Sequence, residues 1–221
     1  MGRRLLSPST HLASGASTTI GAALVGNGGL NKAGAGTLVL SAPNSLVGVL
    51  NVNGGTLQLA SGGSLNLGNS AVNTALNARL SIAGGSFTTT GLVSATTSQF
   101  VIDSGTAALG SFRTNSDFSG TLRINGGTLT VGDVNIRRNA GASADFASGF
   151  IVTGGTASAT TIGLGTQNSF GSMSLEGGSL TATGPITIAN QATSGRGGSM
   201  RVLNNATFTS TDPTLGSFDV S

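Results

Sequence analysis

Seven carboxylates, ten basic side chains, one histidine and no cysteine make up the charged and acid–base inventory of this 221-residue chain. Cleavage of a glycan would need two carboxylates within roughly 5 to 9.5 Å of each other, or a carboxylate beside a base. Asp103 and Glu176 share a local pattern, since each stands immediately before a pair of small residues, Ser104/Gly105 and Gly177/Gly178. Asn125 and Thr153 hold the same place in the copies between them. If such copies stack as successive turns about 4.8 Å apart, the two carboxylates lie three turns and about 14 Å from each other. That is too far for them to cooperate. Asp133 and Asp145 are left as a candidate pair across a corner. His11 lies in an irregular opening stretch, and without a second His or any Cys there is no support for a Ser-His-Asp triad, a thiol nucleophile or a common zinc site. The run GNGGLNKAGAG, Gly26 to Gly36, lacks the Gly-Lys-Ser/Thr ending of a phosphate loop. No catalytic residue, cofactor or metal ligand is assigned, and a non-enzymatic role is expected.

The elements that would carry these residues are set by a repeat. Aligning on Gly54/Gly55 brings Gly84/Gly85, Ser104/Gly105, Gly126/Gly127, Gly154/Gly155 and Gly177/Gly178 into register. Two before each pair stands Val52, Ile82, Ile102, Ile124, Val152 or Leu175, and four before it Leu50, Leu80, Phe100, Leu122, Phe150 or Met173. Two after the first member comes a hydroxyl every time, Thr56, Ser86, Thr106, Thr128, Thr156 and Ser179. Taken alone, each unit reads as a β-hairpin closed by a two-residue glycine turn. A third apolar alternation, as at Val134/Ile136, Ile162/Leu164 and Ile186/Ile188, argues instead for three short strands per unit. A period of about 20 to 30 residues belongs to solenoids and arrays. The expected fold is therefore all-β, a parallel β-helix (β-solenoid) forming a single elongated domain of roughly eight turns, about 40 Å long. An antiparallel meander or propeller is the alternative. The 37 glycines serve as corners, where a residue without Cβ turns the chain at no steric cost.

Hydrophobic residues are 38% of the chain and charged ones 8%, so solubility rests on Ser, Thr, Asn and Gly. The isoelectric point of about 11.1 reflects a net charge of only +3. The basic residues are scattered and Trp and Tyr are absent, which excludes the basic stripe with stacking aromatics of a nucleic-acid binder. No apolar run approaches the roughly 18 residues of a membrane-spanning helix. Residues 1–20 read as an irregular lead-in with the first strand near Leu24, and 21–221 as the repeat domain, a fragment of a longer protein.

The stretch KAGAGTLVLSAPNSLVGVLNVNGGTLQL, Lys32 to Leu59, resembles the autotransporter-associated β-strand repeat, also called the passenger-associated transport repeat. The motif carries over at Gly34, Gly36, Thr37, Leu38, Leu40, Asn44, Gly48, Val52, Gly55, Thr56 and Leu57, and departs from the family at Ser45, Leu46 and Val47. The resemblance implies a right-handed coil, export, and a place in a bacterial passenger at the cell surface, associated with the outer membrane through a region not present here. The expected role is then a non-catalytic stalk for surface display or adhesion. A carbohydrate-active β-helix that binds or cleaves an extracellular polysaccharide is the alternative. Four insertions, 114–120, 137–149, 165–172 and 190–199, each fall just before a leading strand and so line one side of a coil. They gather Asp117, Arg137, Arg138, Asp145 and Arg196 as a candidate ligand-binding loop face. A surface glycan or a protein of a host or neighbouring cell is the expected partner. Both open ends of the coil predict adjoining repeats or end-to-end self-association.

Overall fold

The computed structural model describes residues 9–11, 13–114, 120–138, 149–166, 169–191 and 196–212. Among the described residues it is a parallel β-solenoid without a helix. Among the described residues every strand pairing is parallel except two at the insertions, Asn190–Gln191 with Arg196–Val202 and the bridge from Arg138 to Phe170. An antiparallel meander is thereby excluded. Each turn has three faces. The first face carries Leu30, Leu50, Val72, Val93, Phe112, Val134, Ile162 and Ile186 in one inward row, each in register with the next. On the second, Leu38, Leu57, Leu80, Phe100, Leu122, Phe150, Met173 and Met200 follow one another. Leu65, Phe87, Ala107, Leu129, Ala157, Leu180 and Phe208 form the third. The three rows meet in one core of buried side chains.

The size variation along each row is compensated within each turn. Phe100 and Phe150 on the second face share their turns with Ala107 and Ala157 on the third, whereas Leu80 and Leu122 share theirs with Phe87 and Leu129. Close packing at native density requires this trade. Phe87, Phe100 and Phe112, one from each face, meet edge to face at centroid distances of 5.6 and 6.3 Å, the arrangement favoured by the ring quadrupole.

Two expectations are corrected. The coil begins before Leu24, because Ser9–His11 and Ser17–Ile20 pair with Leu30–Ala33 and Thr37–Leu40. Their residues are mostly polar, so hydrophobic alternation does not reveal them. The alignment on Gly54/Gly55 is right for five of its six copies and one face out for the first. Leu50 stacks on Val72 and Leu57 on Leu80, while Ser86 stacks on Ser64. The true partner of Gly84/Gly85 is Gly62/Gly63, and one residue more lies between Leu59 and Ser64 than between Ile82 and Ser86. The ladder is irregular at this corner, where Ala83 and Gly84 both face Ala60, and it resumes at Ser86 and Ser64.

The corners explain the glycines. At Gly127, Gly155 and Gly178 φ is +70°, +70° and +68°. A Cβ on any of them would overlap a carbonyl oxygen of the turn below, Gly105, Gly127 and Gly155 respectively. The last corner uses Asn204 at φ +55° in place of glycine.

Of the polar side chains buried among the described residues, Asn44 and Lys32 each bond to more than one turn. Asn44 accepts a bond from the Leu24 amide at 2.8 Å and donates to the Ala42 and Ser64 carbonyls at 2.5 and 2.9 Å, so it clamps three successive turns. Lys32 has no exposed surface and takes the place Val52 takes one turn later. Its ammonium donates to the carbonyls of Ala33, Gly34 and Gly54 at 3.0, 2.7 and 2.9 Å, and burial lowers its pKa from the usual lysine value. Gly155→Ala is expected to destabilise the coil by about 2 kcal/mol or more. Asn44→Ala should cost about 2 to 4 kcal/mol, through the buried carbonyls left unpaired. Urea unfolding monitored by far-ultraviolet circular dichroism checks both.

Candidate functional site

All four insertions leave the coil at the same edge, between the first and second faces. They follow the first-face strand ends at Thr114, Ile136, Leu164 and Ile188 and precede Thr121, Gly149, Gly171 and Gly198. Asp117 and Asp145 lie outside the described residues. Arg196 opens the strand Arg196–Val202, where its backbone pairs antiparallel with Gln191. The start of the second insertion is held to the coil at two points. The Arg137 amide donates to the Thr114 hydroxyl at 2.7 Å, and that hydroxyl donates to the Arg137 carbonyl at 2.7 Å. One residue on, the Phe170 amide donates to the Arg138 carbonyl at 2.8 Å and ties the second insertion to the third.

The structure adds a residue to this edge. Arg113 lies in register with Asn135, one strand position from Thr114 and exposed. The Arg137 pKa is lowered first by burial and then by the Arg113 guanidinium, so the two cations share one neighbourhood. Arg113 lines a cleft of about 270 Å³ with Ser111, Asp133, Asn135, Thr161 and Gly163. Three successive turns contribute, because Ser111 pairs with Asp133 and Asp133 with Thr161, while Arg113 pairs with Asn135 and Asn135 with Gly163. Gly163 adds no side chain to its place in the outer row, which leaves room in the cleft. The Thr161 hydroxyl donates to Asp133, and the Thr166 hydroxyl donates to Asn135 at 3.2 Å. Sequence reading missed Arg113 because it precedes the insertion in the chain, and only the register places it beside Asn135.

The carboxylates that could have done chemistry are engaged in structure. Asp103, Asn125, Thr153 and Glu176 do form one corner column, with each amide of the last three donating to the turn below. Asn125 donates to Asp103 at 2.7 Å and Thr153 to Asn125 at 3.0 Å. Asp103 also takes Ser81 and Arg79 at 3.1 Å each. Burial pushes the Asp103 carboxyl up, but the bonds from Asn125 and Ser81 and the charge of Arg79 together hold it below its usual value. Glu176 is lowered first by the Ser174 hydroxyl, against the upward push of burial, and further by Arg201 at 2.8 Å. Both are ionised at neutral pH and bonded, which suits a fastening rather than a general acid. Among the described residues no three His, Cys, Asp or Glu side chains are grouped to hold a metal ion. Among the same residues no helix is long and apolar enough to cross a membrane.

Comparison with known proteins agrees with this geometry. The passenger-associated-transport-repeat model matches residues 30–59 and 102–131. In the fold the two matches begin on different faces, Leu30 on the first and Ile102 on the second. Over 170 residues the chain is 34% identical to the adhesin BmaC autotransporter of Brucella suis biovar 1 (strain 1330), covering 68% of this chain. The chain spans about 5% of the length of that curated relative. No solved structure matches.

The two depressed carboxyls give a signed pH dependence. Their stabilisation is fully present above the unfolded carboxylate pKa of about 4 and is lost as pH falls through the lower folded values. Both sites are partly solvated, so each contributes under about 1 kcal/mol. Asp103→Asn with Glu176→Gln is expected to be less stable than the parent at pH 7, by a margin that shrinks as the pH is lowered below about 4, as read by urea midpoints.

Proposed function

We propose that this stretch of passenger-associated-transport repeats, similar to part of an autotransporter adhesin, is a rigid, surface-displayed segment that holds an adhesive edge away from the cell. The observation that carries the reading is the placement of every insertion at one edge. The coil beneath supplies stiffness through continuous inter-turn hydrogen bonding, and the edge supplies chemical variety. Arg137 and Arg138 sit there on fixed backbone beside Arg113 and its cleft. Asp117, Asp145 and Arg196 belong to the same edge by sequence position. Loops held on a rigid scaffold are where binding residues concentrate. A partner on a host or neighbouring cell, protein or glycan, would meet this edge side-on.

The reading is non-catalytic. Asp103 and Glu176 are fastened to neighbouring turns, and the Asp133 carboxylate in the cleft is bonded to Thr161. A carbohydrate-cleaving coil would instead leave an acid and a base facing one another across a groove.

Display of the segment on a bacterial surface, fused to a translocating barrel, tests the proposal. Replacing Arg137, Arg138 and Arg196 with Ser is expected to lower attachment to cultured cells severalfold without changing surface abundance. Unchanged attachment would remove the edge from the adhesive surface, and release of new reducing ends from a polysaccharide would overturn the non-catalytic reading.

A further inference from the structure

The third face differs from the other two in lying away from the insertion edge, and its outer surface is a regular lattice of hydroxyls. One outward row runs Ser64, Ser86, Thr106, Thr128, Thr156, Ser179, Thr207, each in strand register with the next over seven turns. A second row two residues on runs Asn66, Thr88, Ala108, Thr130, Ser158, Thr181, Thr209, hydroxyl at five of its seven places. Neither row holds a charged residue. Thr106, Thr128, Thr130, Thr156, Thr207 and Thr209 are exposed.

Strand geometry sets the lattice constants. Neighbours along a row stand about 4.8 Å apart and the rows about 6.6 Å apart. Threonine is stiff at χ1 because of its branched Cβ, and the Thr156 hydroxyl donates to that of Thr128 at 3.3 Å along the row. The groups are therefore fixed before any partner arrives. Each threonine offers a hydroxyl that bonds water and a methyl that water must surround. A two-dimensional array of such pairs without charge offers water a repeating pattern of sites, whereas charges would orient the first layer about themselves.

We propose that the third face binds the surface of crystalline ice through water held at these sites. A crystalline partner is favoured because the feature repeats turn after turn with the same spacing, which a small molecule would not use. Ice is favoured over a neutral polysaccharide because no aromatic side chain points outward from the two rows, and flat sugar surfaces are recognised by the large rigid area that aromatics provide. Phe87 and Phe208 occupy inward places on this face. The proposal does not depend on the adhesive edge, which lies between the other two faces.

The test is partition into slowly grown ice. The purified chain is expected in the ice fraction severalfold above an albumin control frozen beside it. Thr128→Lys with Thr156→Lys places two charges at the centre of the lattice, on exposed positions, and is expected to fall to the albumin level with an unchanged melting midpoint. Asn73→Lys, on the outward side of the first face, should partition like the parent. Exclusion of the parent chain from ice would overturn the proposal, as would equal enrichment of parent and double variant. Retention on microcrystalline cellulose that is lost in the double variant, without enrichment in ice, would overturn it too and assign the face to a solid glycan.

Discussion

The parallel hydrogen bonding of each turn to the one below is the constraint from which the rest of the molecule follows. It fixes the rise from turn to turn at about 4.8 Å, and no corner may lift the chain further. A side chain at such a corner would enter the carbonyl of the preceding turn, as at Gly155 above Gly127, so the corners are made of residues that have none or tolerate the left-handed region. Because the rise is small, each inward side chain touches its counterparts directly above and below, and a column of one kind is the simplest way to fill it. The exceptions in size are settled sideways, within the turn, where Phe100 and Phe150 face Ala107 and Ala157.

The same constraint decides where variety is admitted. A segment can leave the coil only where the ladder resumes in register after it, and in this chain that happens at one edge. Between Val131 and Thr156 an insertion separates two turns, yet Val131 pairs with Ala159 and Thr128 with Thr156 without a shift. The cost of closing such a loop grows slowly with its length. Length at this edge is thermodynamically cheap, whereas the other corners differ from turn to turn by only about a residue.

Much of the fold was legible because alternation and small-residue corners are local signals. Five of six aligned copies proved to be true neighbours. The sixth failed for a physical reason, since all three faces share one alternation and one corner chemistry, and pattern alone does not say which face a strand occupies. The family matches show the same degeneracy, as one begins on the first face and the other on the second. The cleft was not legible. Arg113, Asp133 and Thr161 come from three turns, and their proximity depends on a register that the pattern leaves open. The burial of Lys32 was not legible either, since it follows from three carbonyls that converge only once the corner above it has formed.

A periodic coil has a weakness that Lys32 and Asn44 address. When every turn resembles the next, a chain shifted by one whole turn makes nearly the same contacts, and a folding chain has little energetic reason to choose between the two alignments. Lys32 and Asn44 break that translational symmetry. An ammonium inserted one turn out of place would face apolar walls without its three carbonyls, and an amide displaced likewise would leave the Leu24 amide and the Ser64 carbonyl unpaired. Each costs more to misplace than a leucine does. They act as index marks on an otherwise uniform scale, giving the amino-terminal turns one alignment from which the others can be counted.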